Sequence, residues 1–150
     1  MKNIAVIGSG SWGVALSTHL ANIGHNVKIW SFMQEEKDLI NNERKCTRDT
    51  FKQYKQYIGE KPVIICSKGF EKETLKTLDE VLLEELPTVK IGVLSGPSHA
   101  EEVAIAIPTV LVIASKHPEV QKMIQDTFMC DQMRIYTSTD VKGVELGGAL

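Results

Sequence analysis

The sequence predicts an α/β domain: a doubly wound, mostly parallel sheet with helices on both faces. Three observations carry that expectation. Short apolar runs at Ile4–Ile7, Val63–Cys66, Ile91–Leu94 and Val110–Ala114 have the form of strands buried on both faces. Between them, apolar residues return at three- and four-residue steps, the period of a helix. Turn residues (Gly8, Gly69, Gly96-Pro97) stand just past three of the strand-like runs, at the edge where open α/β sheets take their ligands.

The elements follow in order. Ile4–Ile7 runs into glycine, and from Ser11 the pattern turns helical through Val14, Leu16, Leu20 and Ile23. Gly24 stands where a helix-terminating glycine belongs, and Val27, Ile29 and Trp30 form a second strand. Strand, glycine turn, helix and strand make one βαβ unit. Gln34–Glu43 reads as a polar helix and Asp49–Ile58 as another, with Phe51, Tyr54 and Tyr57 in a stripe best explained by core packing. No strand separates those two helices, although the alternation of a doubly wound sheet calls for one. The alternation then resumes: strand Val63–Cys66, helix Thr74–Leu86, strand Ile91–Leu94, a helix opened by SGPSHAEEVAIA, and strand Val110–Ala114. A helix follows near Pro118, then a short strand at Arg134–Tyr136 and a last helix capped by Thr139 or Asp140.

The 150 residues suit one domain with a real core. A hydrophobic fraction of 43% with 24% charge belongs to folded globular chains, and a net charge of −2 gives no reason to expect nucleic acid or an anionic membrane as partner. No apolar run nears the roughly 18 residues of a membrane span, and the N-terminus does not read as a signal peptide. Cys46, Cys66 and Cys130 are scattered and odd in number, which suggests reduced thiols in a cytoplasmic protein and neither disulfides nor a zinc site. His19, His25, His99 and His117 form no catalytic triad or metal spacing.

The chemistry concentrates in turns. Gly8, Gly10 and Gly13 have the spacing G-x-G-x-x-G between a strand and a helix, with a second strand at the right distance. A dinucleotide pyrophosphate needs backbone N–H groups at a helix start and no side chain in the way. Ser11 and Trp12 stand at that helix start, although core packing explains Trp12 as well as contact does. Past the second strand, Trp30-Ser31-Phe32-Met33 carries neither the acidic residue that favours NAD nor the arginine that favours NADP. Lys68, directly after a strand, suits a phosphate or a substrate oxygen. Ser98 to Glu101 fits a capping box that would aim helix-start amides at the same sheet edge. Gly143, Gly147 and Gly148 cost about 1 kcal/mol each inside a helix, which either close packing of backbone or ligand against that face or a frayed end would justify.

Taken together, VIGSGSWGVAL, SKGFE, LSGPSHAEEVA, PTVLVIAS and GVELGGAL resemble, in the same order, the NAD(P)-dependent glycerol-3-phosphate dehydrogenases. The resemblance covers nearly all of this chain but only the family's N-terminal, cofactor-binding part. It implies a Rossmann-type fold, NAD or NADP as cofactor, and hydride transfer between dihydroxyacetone phosphate and glycerol 3-phosphate for glycerophospholipid synthesis. It implies cofactor contacts from the Gly8–Gly13 turn with Ser9, Ser11 and Trp12, from Phe32 at the adenosine end, and from Ala100. Lys68 would reach both cofactor and substrate, and Gly96 and Ser98 would line the substrate site.

The resemblance also marks what is lacking. The family's general acid/base lysine would come directly after Leu150, so no catalytic residue is expected within residues 1–150, nor is the helical C-terminal substrate domain. An additional strand, helix and strand of the family is missing near Lys45–Thr47, and the expectation is that chain residues are left out there. The chain is thus expected to bind cofactor without turnover, with a small-molecule substrate, no metal, no membrane insertion and a homodimer when full length. Two alternatives are a non-catalytic, redox-sensing nucleotide-binding module and another dehydrogenase of related architecture.

Overall fold

The computed structural model describes residues 1–30 and 47–149. In order they form β1 (Asn3–Ile7), α1 (Ser11–Asn22), β2 (Asn26–Trp30), α2 (Thr47–Ile58), β3 (Val63–Ile65) and α3 (Leu78–Glu85). These are followed by β4 (Ile91–Ser95), α4 (Ala100–Ala104), β5 (Thr109–Ala114), α5 (Pro118–Phe128), β6 (Met133–Ser138) and α6 (Val141–Ala149). Phe32, the polar helix expected over Gln34–Glu43, and Cys46 lie outside the described residues.

The strands hydrogen-bond in two groups, β1-β2 and β3-β4-β5-β6. The β1/β2, β3/β4 and β5/β6 pairs are parallel, and β4/β5 is antiparallel with Leu94 opposite Ile113. The mostly parallel sheet is therefore as expected, with one reversal. That reversal follows from the connection after β4, which holds only the five-residue α4 and brings the chain back at the edge it left.

Helices cover both faces of the four-stranded group. On one face Leu94, Leu111, Ile113 and Ile135 pack with Ala15, Leu16 and Leu20 of α1 and with Ile124 and Phe128 of α5. On the other, Ile65, Ile91, Val93 and Ala114 pack with Leu78 and Leu82 of α3 and Val141 of α6. The strands β3, β4 and β5 divide their side chains between the two clusters by the two-residue alternation of extended backbone, whereas β6 gives Met133 and Ile135 to the first alone.

Helix α1 ends in a Schellman motif: Gly24 N–H reaches Ala21 O and His25 N–H reaches Leu20 O, both at 3.0 Å. The β1–α1–β2 unit is tied to the end of α5 by three basic side chains. Lys2 Nζ donates to Thr127 Oγ1 (2.7 Å) and Met123 O (3.2 Å), and His19 Nε2 meets Phe128 O at 3.0 Å. His25 accepts the Lys2 N–H at Nδ1 (3.2 Å) and meets Thr127 O with Nε2 (2.9 Å), which assigns it the Nε2–H tautomer. Helix α5 has no basic residue of its own in its last turn, so these groups serve its carbonyl end from outside.

Three local expectations are corrected. The helix expected from Thr74 starts at Leu78, because Glu71 is buried in a bidentate pair with Arg48 (2.8 and 2.9 Å) and also accepts from Thr74 Oγ1 (2.6 Å). That anchor holds residues 71–76 in a tight turn with Leu75 at φ +57°, and Thr77 then begins the helix, its N–H bonded to Glu80 Oε2 at 3.1 Å. The Ser98–Glu101 capping box does not form: His99 is the N-cap of α4, and the Ser98 N–H turns back to Gly96 O at 3.0 Å. In the aromatic stripe, Tyr54 is buried edge-on against Trp30 with centroids 5.1 Å apart, and Phe51 is half-buried, but Tyr57 is 69% exposed. No helix among the described residues is long and apolar enough to cross a membrane.

Candidate cofactor and substrate site

The strand β1 stops at Gly8, which takes φ +108° and donates its N–H to Trp30 O at 2.9 Å, pinning the turn to the end of β2. Gly10 is the N-cap of α1 and accepts the Val14 N–H at 3.0 Å. No side chain caps this helix start, and its first turn carries no acidic residue. Among the described residues a Cβ at Gly8 or Gly10 would meet nothing within 4 Å, so none of them closes the outside of the turn. At Gly13 a Cβ would stand 2.3 Å from the Gly8 carbonyl oxygen, so the helix start and the turn touch as only glycine permits. An open turn against a bare helix start is the geometry that binds a pyrophosphate. Ser9 is half-buried, Ser11 is exposed at the first helical position, and Trp12 is half-buried against the α1 core. Packing thus accounts for at least part of the Trp12 surface.

A concavity of about 360 Å³ opens at the carboxyl ends of β3 and β4. Because those strands are parallel, Lys68 after β3 and Gly96 after β4 arrive at one edge. Ser95, Pro97 and Val112 extend that wall, and α6 closes the other side with Val144, Gly147 and Gly148. The helix lies hard on the end of β4, since a Cβ at Gly148 would sit 2.3 Å from Ser95 Oγ. Lys68 is exposed and has no ion-pair partner among the described residues, so no described carboxylate competes for its ammonium group.

Lys68 and Gly96 therefore line the same cleft. Ser98 does not line the cleft, and Ala100 begins α4, packed toward the same core as Trp12. The glycine turn is a separate feature at the end of β1. Sequence reasoning did not single out Ser95 or Glu145. The glycines of GVELGGAL signalled the close approach now seen at Gly148, and the four-residue step from Val141 to Glu145 was the available sign that this acid faces inward.

Both features open at carboxyl ends of parallel strands, and by that architecture the molecule is a dinucleotide-binding domain of the open α/β class. Comparison with known proteins narrows the class. The chain belongs to the family described as NAD-dependent glycerol-3-phosphate dehydrogenase N-terminus, whose model matches residues 3–49 and again 44–121. It is 34% identical to the glycerol-3-phosphate dehydrogenase (NAD(P)+) of Agathobacter rectalis, with 100% of this chain and 56% of that protein covered. With the enzyme of the same name from Lactiplantibacillus plantarum it shares 38%, over 100% and 57%. The glycerol-3-phosphate dehydrogenase structure from Coxiella burnetii superposes with a TM-score of 0.85 at 27% identity, covering 97% of this chain and 56% of that one. The chain thus spans just over half the length of the curated relatives it matches.

The same comparisons bear on the interrupted alternation. The Agathobacter alignment runs over 188 positions against 150 residues here, and the family match breaks into two segments that meet at residues 44–49. The expectation that chain residues are left out near Lys45–Thr47 is corrected: the sequence is continuous there, so the segment is lacking from the sequence itself.

Proposed function

We propose that the chain is the cofactor-binding part of an NAD(P)-dependent glycerol-3-phosphate dehydrogenase, an oxidoreductase acting between dihydroxyacetone phosphate and glycerol 3-phosphate. The observation that carries this reading is Lys68, exposed and without an ion-pair partner among the described residues, on a cleft it shares with Gly96. A bare glycine-rich turn would suit any dinucleotide-binding module. A separate concavity with its own cation supports a substrate side.

The Gly8–Gly13 turn fits a dinucleotide: no described residue closes its outside, and the α1 amides are uncapped. Ser9, Gly10 and Ser11 would hold the pyrophosphate, with Trp12 and Ala100 beside it and Phe32 at the adenosine end. Bound NAD(P)H would supply the hydride. Lys68 would orient the substrate by pairing with its phosphate or polarising its carbonyl oxygen, with Gly96 completing that side. Among the described residues lining the cleft, Lys68 is the one ionisable side chain, so a separate general acid is wanting there. We accordingly expect these 150 residues alone to bind cofactor with little or no turnover. The glycerol 3-phosphate made by such an enzyme serves glycerophospholipid synthesis, with the cytoplasm as its place.

Titration with NADH, NADPH and dihydroxyacetone phosphate tests the reading. Lys68→Met should weaken dihydroxyacetone phosphate about tenfold or more, the loss of about 1.4 kcal/mol of charge-assisted contact, while leaving the melting temperature unchanged. Failure of both nucleotides to bind would overturn the proposal, and unchanged substrate affinity in the variant would remove Lys68 from it.

A further inference from the structure

Glu145 is only 7% exposed, an acid on the face of α6 that otherwise buries Val141. Its Oε1 accepts the backbone N–H of Asp79 at 3.2 Å, in the first turn of α3. Its Oε2 is buried with no hydrogen-bond donor among the described residues. Beside the Glu145 carboxyl lies that of Asp79, whose Oδ1 already accepts from Thr77 Oγ1 at 2.6 Å. Two carboxyls placed together in a buried setting repel each other unless one of them keeps a proton.

We propose that Glu145 is a positioning residue: as the neutral acid it donates a hydrogen bond to the Asp79 carboxylate. The bond latches α6 onto the start of α3 and holds Gly147 and Gly148 as one wall of the cleft. The link to ligand binding rests on reading that cleft as the substrate site; the latch itself does not.

The surrounding charges leave Glu145 to this arrangement. Lys142, on the same helix, is committed to Glu80 at 2.8 Å, and Glu80 also accepts the Thr77 N–H. Asp140 accepts the Gly143 N–H at 2.9 Å. Lys116 and His117 line a small hollow with Asp79 and Val141, and Lys68 is exposed on the cleft itself. The strands against α6, β4 and β5, carry no charged residue. Burial, reinforced by the Asp79 carboxyl, pushes Glu145 up to about 8.

An undocked α6 would expose Glu145 and return it to the ordinary carboxylate value of about 4.3. Between those values the docked form binds a proton that the open form has lost. Docking is therefore strongest below about pH 4, weakens about tenfold per pH unit as pH rises toward 8, and levels off above that.

Hydrogen exchange of the α6 amides, corrected for the intrinsic pH dependence of exchange, tests this between pH 5.5 and 8.5. In the wild-type chain the opening constant should rise with pH by about that slope. In Glu145→Gln it should stay flat, because the amide keeps the Oε1 acceptor and donates at every pH. Equal slopes in the two proteins would overturn the latch. Should the glutamine variant fail to fold, the carboxyl carbon of Glu145 decides by NMR. A midpoint near 8 that falls by a unit or more in Asp79→Asn supports the proposal, and a midpoint near 4.3 sinks it. Dihydroxyacetone phosphate affinity followed over the same range separates the two readings. Absent binding with the exchange slope intact would leave the latch standing and remove the substrate assignment.

Discussion

The two hydrogen-bonded groups of strands are packed very differently. Residues Ile91–Leu94 of β4 are buried throughout, with helices on both faces. In β1 every second residue, Asn3, Ala5 and Ile7, is exposed, and in β2 Ile29 and Trp30 are 41% and 47% exposed. Only Ile4 and Val27 of these two strands join the shared core. The glycine turn thus sits on the lightly packed group, while the Lys68 cleft sits on the heavily packed one. Among the described residues, what joins them is the apolar face of α1, the Trp30–Tyr54 contact and three basic side chains that meet the end of α5. The cohesion of the glycine turn is a matter of docking, and that of the cleft a matter of core packing.

The largest expected effect tests that contrast directly. Leu111, fully buried in β5, should cost about 3 kcal/mol when cut to alanine, the usual scale for a core leucine. Ile29→Ala, on the exposed side of β2, should cost less than about 1 kcal/mol, in proportion to the smaller area it hides. Urea unfolding of both variants measures the difference. Equal losses would mean that β2 is better covered than its described neighbours make it.

Next in size is Gly13→Ala. The added carbon would press on a backbone carbonyl, which cannot swing aside as a flexible side chain can. Overpacking of this kind costs roughly 1–3 kcal/mol and should displace Gly8 from the end of β2. NADH affinity should fall by at least about tenfold, as a loss of 1.4 kcal/mol implies. Dihydroxyacetone phosphate affinity should change little, because the cleft stands on other strands. Parallel loss of both ligands would join the two sites more closely than their packing does.

How much of this was legible depends on distance along the chain. The turn at Gly8–Gly13, the helix after it and its Gly24 ending are written in one local stretch, and the structure reproduces them. The direction of β5 was not legible, because it is set by how a five-residue helix returns the chain to the edge it left. The late start of α3 was hidden for a similar reason: Arg48 and Glu71 are 23 residues apart, and their pairing outweighs the helical pattern over Thr74–Lys76. Glu145 is the extreme case. A glutamate in a helix is ordinarily solvated, and only the fold sets this one against an acid 66 residues away. The cleft was half legible, since Lys68 and Gly96 follow strands directly while the role of Ser95 depends on α6 lying over it.

The smallest effect probes the join. His25→Ala removes the acceptor of the Lys2 N–H and the group that meets Thr127 O, two contacts worth about 1 kcal/mol each at most. Neither belongs to the apolar core, so the global melting temperature should move by only a few degrees. The informative reading is where the loss appears. If docking holds the lightly packed group in place, amide exchange should quicken in β1 and β2 while β4, β5 and β6 keep their protection. His19→Ala, which frees Phe128 O at the same helix end, should repeat that pattern. Exchange that quickens uniformly through all six strands would instead make the two groups a single cooperative unit. In that event the glycine turn would draw its rigidity from the same core as the cleft.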